Sequence, residues 1–189
     1  MALPSATNSL EKIGLKRVDR LFLRMSHKEI SIVSSVMRHS RRRPLSALVR
    51  ATNSLCNGWI YLLLVFWLLL EREWHLFLVA CIGTTVSFLL YFNTKPRLAR
   101  VRPCHFAEHL STGTPYLDLY SFPSGHCMTL SVISVFLCWQ HHAAILPLTA
   151  MILLLGWARI AAAHHYPSDL VAGIALGMCV GVPVAVVLL

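Results

Sequence analysis

Three stretches of this sequence carry residue types suited to phosphate chemistry. The first is Lys95-Pro96-Arg97-Leu98-Ala99-Arg100-Val101-Arg102-Pro103. A phosphate monoester carries nearly two negative charges, so fixed cations must hold it and offset the charge that its equatorial oxygens carry in the transition state. Each close charge pair is worth on the order of 4 kcal/mol at an effective dielectric of 20, before desolvation is subtracted. Arginine brings a bidentate fork and lysine a point charge, so Lys95 and Arg102 are not equivalent. Taken alone, such a stretch reads better as an anchor for lipid head groups.

The second stretch is Pro123-Ser124-Gly125-His126, placed where an apolar run begins. A helix N-terminus offers free backbone N–H groups and the positive end of the helix dipole, which suits an anion. Ser124 can cap or donate its hydroxyl, Gly125 lets backbone approach a phosphate, and His126 is a titratable group able to protonate a leaving alkoxide and then activate water. The third runs from Arg159 through His164, His165, Tyr166 and Pro167 to Asp169. A helix starting near Pro167 puts Asp169 one turn in, and the i,i+4 spacing lets its carboxylate meet the His165 imidazole. That contact would fix the tautomer and leave the other ring nitrogen free to attack phosphorus. His164 faces elsewhere on this reading and is structural.

The elements that must position these groups follow from composition. Of 189 residues, 56% are hydrophobic and only 13% charged, against about 25% charged in a typical soluble domain. The formal charge of +9 does not point to nucleic acid, because all the lysines and arginines except Arg72 and Arg159 lie in the N-terminal third and the stretch around Lys95. The six cysteines form no CxxC pair and read as buried fillers rather than a disulfide framework or zinc site. The first twenty residues lack the apolar core of a cleavable signal peptide. Residues 1–50 read as a basic amphipathic segment lying on the membrane surface, broken at Pro44. Residues 51–189 read as a transmembrane domain, with spans expected over 51–70, 74–93, 125–139, 143–162 and 168–189. Residues 94–122 form the one long loop between spans. The short connections make the first pair and the second pair of spans antiparallel neighbours. Lys95, Arg102, Ser124, His126, Arg159, His165 and Asp169 then fall at one membrane surface. The fold class expected is an all-α integral membrane bundle of five or six transmembrane helices with an amphipathic N-terminal region.

Together the three stretches resemble the type 2 phosphatidic acid phosphatase superfamily, which also includes bacterial acid phosphatases and vanadium-dependent haloperoxidases. Lys95, Arg102 and Pro103 match its first motif, Pro123 to His126 its second, and Arg159, His165 and Asp169 its third. Ala158 stands where the family usually has serine. The resemblance covers about residues 55 to 189 and leaves the N-terminal third unexplained. It implies a phosphohistidine on His165, protonation of the leaving group by His126, and phosphoryl binding by Lys95, Arg102, Ser124, Gly125 and Arg159. It implies no metal and no cofactor. Membrane members typically have six spans, so the amphipathic region would replace the first family helix.

The partners implied are a lipid phosphate and the bilayer, with no nucleic acid and no statement about oligomeric state. For so short a chain a polyisoprenyl phosphate or diphosphate is favoured, with glycerolipid phosphates such as phosphatidate or phosphatidylglycerophosphate next. Head-group selectivity is expected from residues 104–122. Phosphoryl transfer to a second lipid, or lipid binding without turnover, are the alternatives. The location implied is a bacterial cytoplasmic membrane. Its side is open, because the basic N-terminal third argues for the cytoplasmic face whereas many membrane relatives face the exterior.

Overall fold

The computed structural model describes residues 17–110 and 118–189, and every described element is helical apart from one isolated bridge between Val101 and Tyr120. The first sixteen residues, most of the stretch assessed for a signal peptide, lie outside the described part, as do residues 111–117 of the segment expected to set selectivity.

Helix α1 (Arg17–Ser40) is amphipathic. Phe22, Ser26, Val33, Met37 and Ser40 are buried at helical spacing, while Arg24, Lys28 and Arg38 are exposed on other faces. This is the pattern of a helix that lies along a surface. After a turn at Arg41 and Arg42, α2 (Arg43–Ser54) starts with Pro44 in its first turn, where a missing N–H costs nothing. Helix α2 passes through one π-helical turn, Leu55–Trp59, into α3 (Ile60–Leu70). Together they form a 28-residue segment. The first span thus begins before residue 51, because Thr52 and Asn53 turn inward rather than towards lipid. The Asn53 amide reaches the Ala158 carbonyl at 3.3 Å.

Helix α4 (Trp74–Leu98) runs five residues beyond the expected end of the second span and includes Pro96. Burial and pairing of Lys95 hold its last turn in place, and Ala99 ends it with φ 41°. The long loop therefore starts at Ala99, and its first part folds into the short helix α5 (Pro103–Phe106).

The last three helices are α6 (Gly125–Gln140), α7 (Ile145–Ala161) and α8 (Pro167–Leu188). Segments Arg43–Leu70, Trp74–Leu98, His142–Ala161 and Pro167–Leu188 are long and apolar enough to cross a membrane, and α6 is a shorter apolar helix. At about 1.5 Å per residue α6 spans roughly 24 Å, short of the ~30 Å hydrocarbon core. Its length suffices because it is the central helix: Cys127, Met128, Leu130, Val132 and Phe136 are all buried among its neighbours. Helix α8 lies directly against it through Gly173, Gly177 and Gly181, a small-residue stripe of the kind that brings membrane helices close. The protein is an all-α integral membrane bundle with five embedded helices among the described residues.

Candidate active site

Lys95 leaves the last turn of α4 and Arg102 sits at the start of α5, both almost completely buried. A single carboxylate ties them together. Asp118 Oδ1 lies 2.8 Å from Lys95 Nζ and 2.7 Å from Arg102 Nη2, and the Tyr91 hydroxyl donates to Oδ2 at 2.7 Å. Burial opposes ionisation of Asp118, but the Lys95 and Tyr91 hydrogen bonds and the Lys95 and Arg102 charges outweigh it and draw the carboxyl down to about 2. Arg102 also donates from Nη1 to the His164 carbonyl at 2.7 Å.

His165 is buried between α7 and α8, with Nδ1 2.7 Å from the Ser121 carbonyl. A carbonyl only accepts, so Nδ1 bears the proton and Nε2 keeps its lone pair. The orienting group thus differs from the one the i,i+4 spacing suggested. Asp169 Oδ2 is 3.6 Å from Nδ1, beyond hydrogen-bond range. The carboxylate has other work: Oδ2 accepts the Tyr166 backbone N–H at 2.8 Å, capping α8, and Oδ1 pairs with Arg100 at 2.7 Å. Burial, then the nearby charges of Arg102, Lys95 and Arg159, hold the His165 imidazole well below the usual histidine range.

At the N-terminus of α6, Ser124 is fully buried and its N–H donates to the Asp169 carbonyl at 3.0 Å. Gly125 has a packing reason to lack a side chain, since a Cβ there would lie 2.6 Å from the Tyr91 ring. His126 Nε2 is 3.1 Å from Asn57 Oδ1, and Arg159 Nη2 donates to the same oxygen at 2.9 Å. Arg159 is buried, and its Nε–H has no acceptor among the described residues. Ala158, at the position where serine was expected, is completely buried.

All eight residues singled out from sequence are therefore brought to one end of the bundle. Four further contributors were not: Asp118, Tyr91, Asn57 and Arg100. Asp118 carried a legible signal as an acid inside a basic loop, and Arg100 lay in the basic stretch itself. Asn57 was only an amide in an uncharged run, and Tyr91 one aromatic among many.

Beside His126 a cavity of about 600 Å³ runs between α3, α4 and α6. Its far part is apolar, with Leu64, Val65, Phe77 and Phe88, while Asn57, Asp118 and His126 stand at its polar end. No described lysine or arginine lines it.

Fold and site define a class: a multi-span membrane protein with histidines and buried cations gathered at one end and an apolar cavity that reaches His126. The PAP2 superfamily profile matches residues 72–188, and the chain belongs to that superfamily. It is 33% identical over 127 residues to a decaprenylphosphoryl-5-phosphoribose phosphatase of Mycobacterium tuberculosis, covering 67% of this chain and 69% of that protein. It is 34% identical over 104 residues to a lipid A 1-phosphatase of Rhizobium etli, covering 52% and 45% respectively. The crystal structure of Aquifex aeolicus LpxE superimposes with a TM-score of 0.64 at 23% identity, covering 82% of this chain and 93% of that one.

Proposed function

We propose that the protein hydrolyses a lipid phosphomonoester through a phosphohistidine on His165. It is a membrane lipid phosphatase, and the observation that carries the residue-level reading is the 2.7 Å contact of His165 Nδ1 with the Ser121 carbonyl. With the Nδ1 proton donated to the Ser121 carbonyl, the Nε2 lone pair is free to attack phosphorus. Lys95, Arg102 and Arg159 would take the equatorial oxygens, with the unsatisfied Arg159 Nε–H as one ready donor. As the P–N bond forms, the bond from phosphorus to the lipid oxygen breaks and His126 supplies the proton to that oxygen. His126 then takes a proton from water, whose oxygen attacks phosphorus and releases inorganic phosphate and the free imidazole. Asp169 would act through the backbone geometry around His165 and Ser124 rather than by touching the nucleophile.

The cavity supports a lipid with a long apolar chain, and its charge pattern supports a monoester over a diphosphate. A diphosphate would place a second, anionic phosphate on the leaving side, where the ionisable lining among the described residues, besides thiols and phenols, is His126 and the acidic Asp118. Like charge beside a carboxylate is costly. A polyisoprenyl phosphate or glycerolipid phosphate fits this reading, as does residence in a bacterial cytoplasmic membrane.

Purified protein in lipid nanodiscs should release phosphate from a polyprenyl monophosphate or phosphatidate faster than from a polyprenyl diphosphate. Quenching in alkaline detergent after mixing with a ³²P-labelled monoester should trap label on protein that is acid-labile and alkali-stable. His165→Ala should lower turnover by more than about a thousandfold and abolish the trapped label. Label retained in that variant would move the nucleophile elsewhere, and a faster diphosphate would overturn the monoester assignment.

A further inference from the structure

The first span contains one amide that its position in lipid does not explain. Asn57 sits in the π-helical turn Leu55–Trp59, next to Gly58 with φ 151°. A π-turn inserts an extra residue and re-aims the side chains around it, and such turns recur at functional sites. Here the re-aimed side chain points into the polar end of the cavity, where its Oδ1 meets both Arg159 Nη2 at 2.9 Å and His126 Nε2 at 3.1 Å.

The chemistry of the three groups leaves one consistent arrangement. Arginine can only donate, so the Asn57 atom facing it must be the oxygen. An amide oxygen can only accept, so His126 Nε2 must carry a proton. The amide oxygen, held by Arg159, thus fixes the direction of the His126 Nε2–H, and it accepts that bond from the imidazolium that a general acid must be. The proton it selects is on the nitrogen that faces the cavity, where a leaving lipid oxygen would arrive.

We infer that Asn57 is a positioning residue for the leaving-group step: it keeps the proton of His126 on Nε2 and aligned with the lipid oxygen. This rests on the reading of His126 as the proton donor in the proposed reaction. When substrate enters, a phosphoryl oxygen takes a donor of Arg159 and the lipid oxygen shares the Nε2 proton with Asn57 Oδ1, which stays in place as the second acceptor. The π-helical turn with its adjacent glycine is what brings the amide within reach of both partners.

Leaving-group dependence tests this. An alkyl lipid phosphate expels a strongly basic alkoxide and needs the proton, whereas p-nitrophenyl phosphate expels a weakly basic phenolate and barely needs it. The quantity to follow is kcat/KM, which reports the step that forms the phosphohistidine. Asn57→Ala should lower kcat/KM for the lipid phosphate at least tenfold more than for p-nitrophenyl phosphate, as His126→Ala should. Asn57→Asp keeps an acceptor for both partners, so it should restore the ratio between the substrates. Its added charge should weaken phosphate binding for both of them. A merely structural amide would lower the two substrates by the same factor. If Asn57→Ala does that while His126→Ala is selective, the inference is overturned and the role of His126 stands. If His126→Ala is itself unselective, the proton-donor reading fails and takes this inference with it.

Discussion

At the scale of single residues, the cations of the site are already paired by its own side chains. Asp118 Oδ1 already engages Lys95 and Arg102, so an incoming phosphate has to compete with a carboxylate for two of its cations. Asp118→Asn removes that competitor's charge while keeping its shape. Inhibition by inorganic phosphate or orthovanadate should tighten by about tenfold, equivalent to ~1.4 kcal/mol; unchanged or weaker inhibition would mean that Asp118 instead holds the cations in place for substrate. Because Asp118 titrates at about 2, the difference should persist at every workable pH. His165 gives a second pH prediction. Its imidazole is held below the ordinary range by burial and by three cations, so the neutral, nucleophilic form survives into acid. After correction for the second ionisation of the substrate near ~6, kcat/KM should show no further acid limb in the ordinary histidine range, whereas an extra inflection near ~6.5 would show an ordinary histidine. The groups named from sequence converge because spacing at helix ends is a strong constraint. Spacing does not say what a neutral carbonyl does, and this is why Asp169 looked like the orienter of His165 when Ser121, forty-four positions upstream, occupies Nδ1.

At the scale of helices, the site depends on how closely α6 and α8 approach. A Cβ on Gly173 would lie 2.5 Å from the Ser124 carbonyl oxygen, and one on Gly177 2.5 Å from that of Met128. Both clashes are with backbone, which cannot rotate away. Gly173→Ala and Gly177→Ala should each destabilise by about 1–3 kcal/mol, read as thermal unfolding in detergent. They should differ in activity. Gly173 presses on the residue that precedes Gly125 and His126, so its substitution should lower kcat well beyond what the stability loss explains; Gly177 lies one turn deeper and should leave folded enzyme nearly active. Equal effects on kcat would show that the stripe serves packing alone. Uncharged runs made the five embedded helices legible, since length and hydropathy are what a bilayer selects. The ends were less so. Helix α2 enters its span early because Asn53 finds the Ala158 carbonyl, and α4 runs on past Asn93 because Lys95 finds Asp118. Each is a tertiary contact that no local pattern encodes.

At the scale of the whole molecule, the amphipathic α1 is bolted to the catalytic end through Arg100. This guanidinium is 2% exposed and stacks on Tyr166 with its carbon 4.0 Å from the ring centroid. It contacts Ser26 Oγ at 3.3 Å and Glu29 Oε2 at 3.3 Å on α1, and Ser168 Oγ and Asp169 Oδ1 at 2.7 Å each on α8. Helix α1 and the site therefore share one end of the bundle. The stabilising weight lies on the Asp169 side, where both partners are dry, and not on Glu29, whose contact is longer and partly wet. Glu29→Gln should then cost no more than about 1 kcal/mol. Arg100→Met should cost about 3–5 kcal/mol, because it leaves the Asp169 carboxylate buried without a counter-charge. Adding Asp169→Asn to Arg100→Met removes that stranded charge, and the asparagine oxygen still accepts the Tyr166 N–H. The double variant should regain most of the lost unfolding temperature, yet stay impaired in kcat, because the loop that bears Arg102 and Ser121 has lost its tie to α8. Recovery of activity together with stability would mean that the Arg100–Asp169 pair only holds the fold, and a double variant no more stable than Arg100→Met would show that the damage lies in the lost stacking on Tyr166.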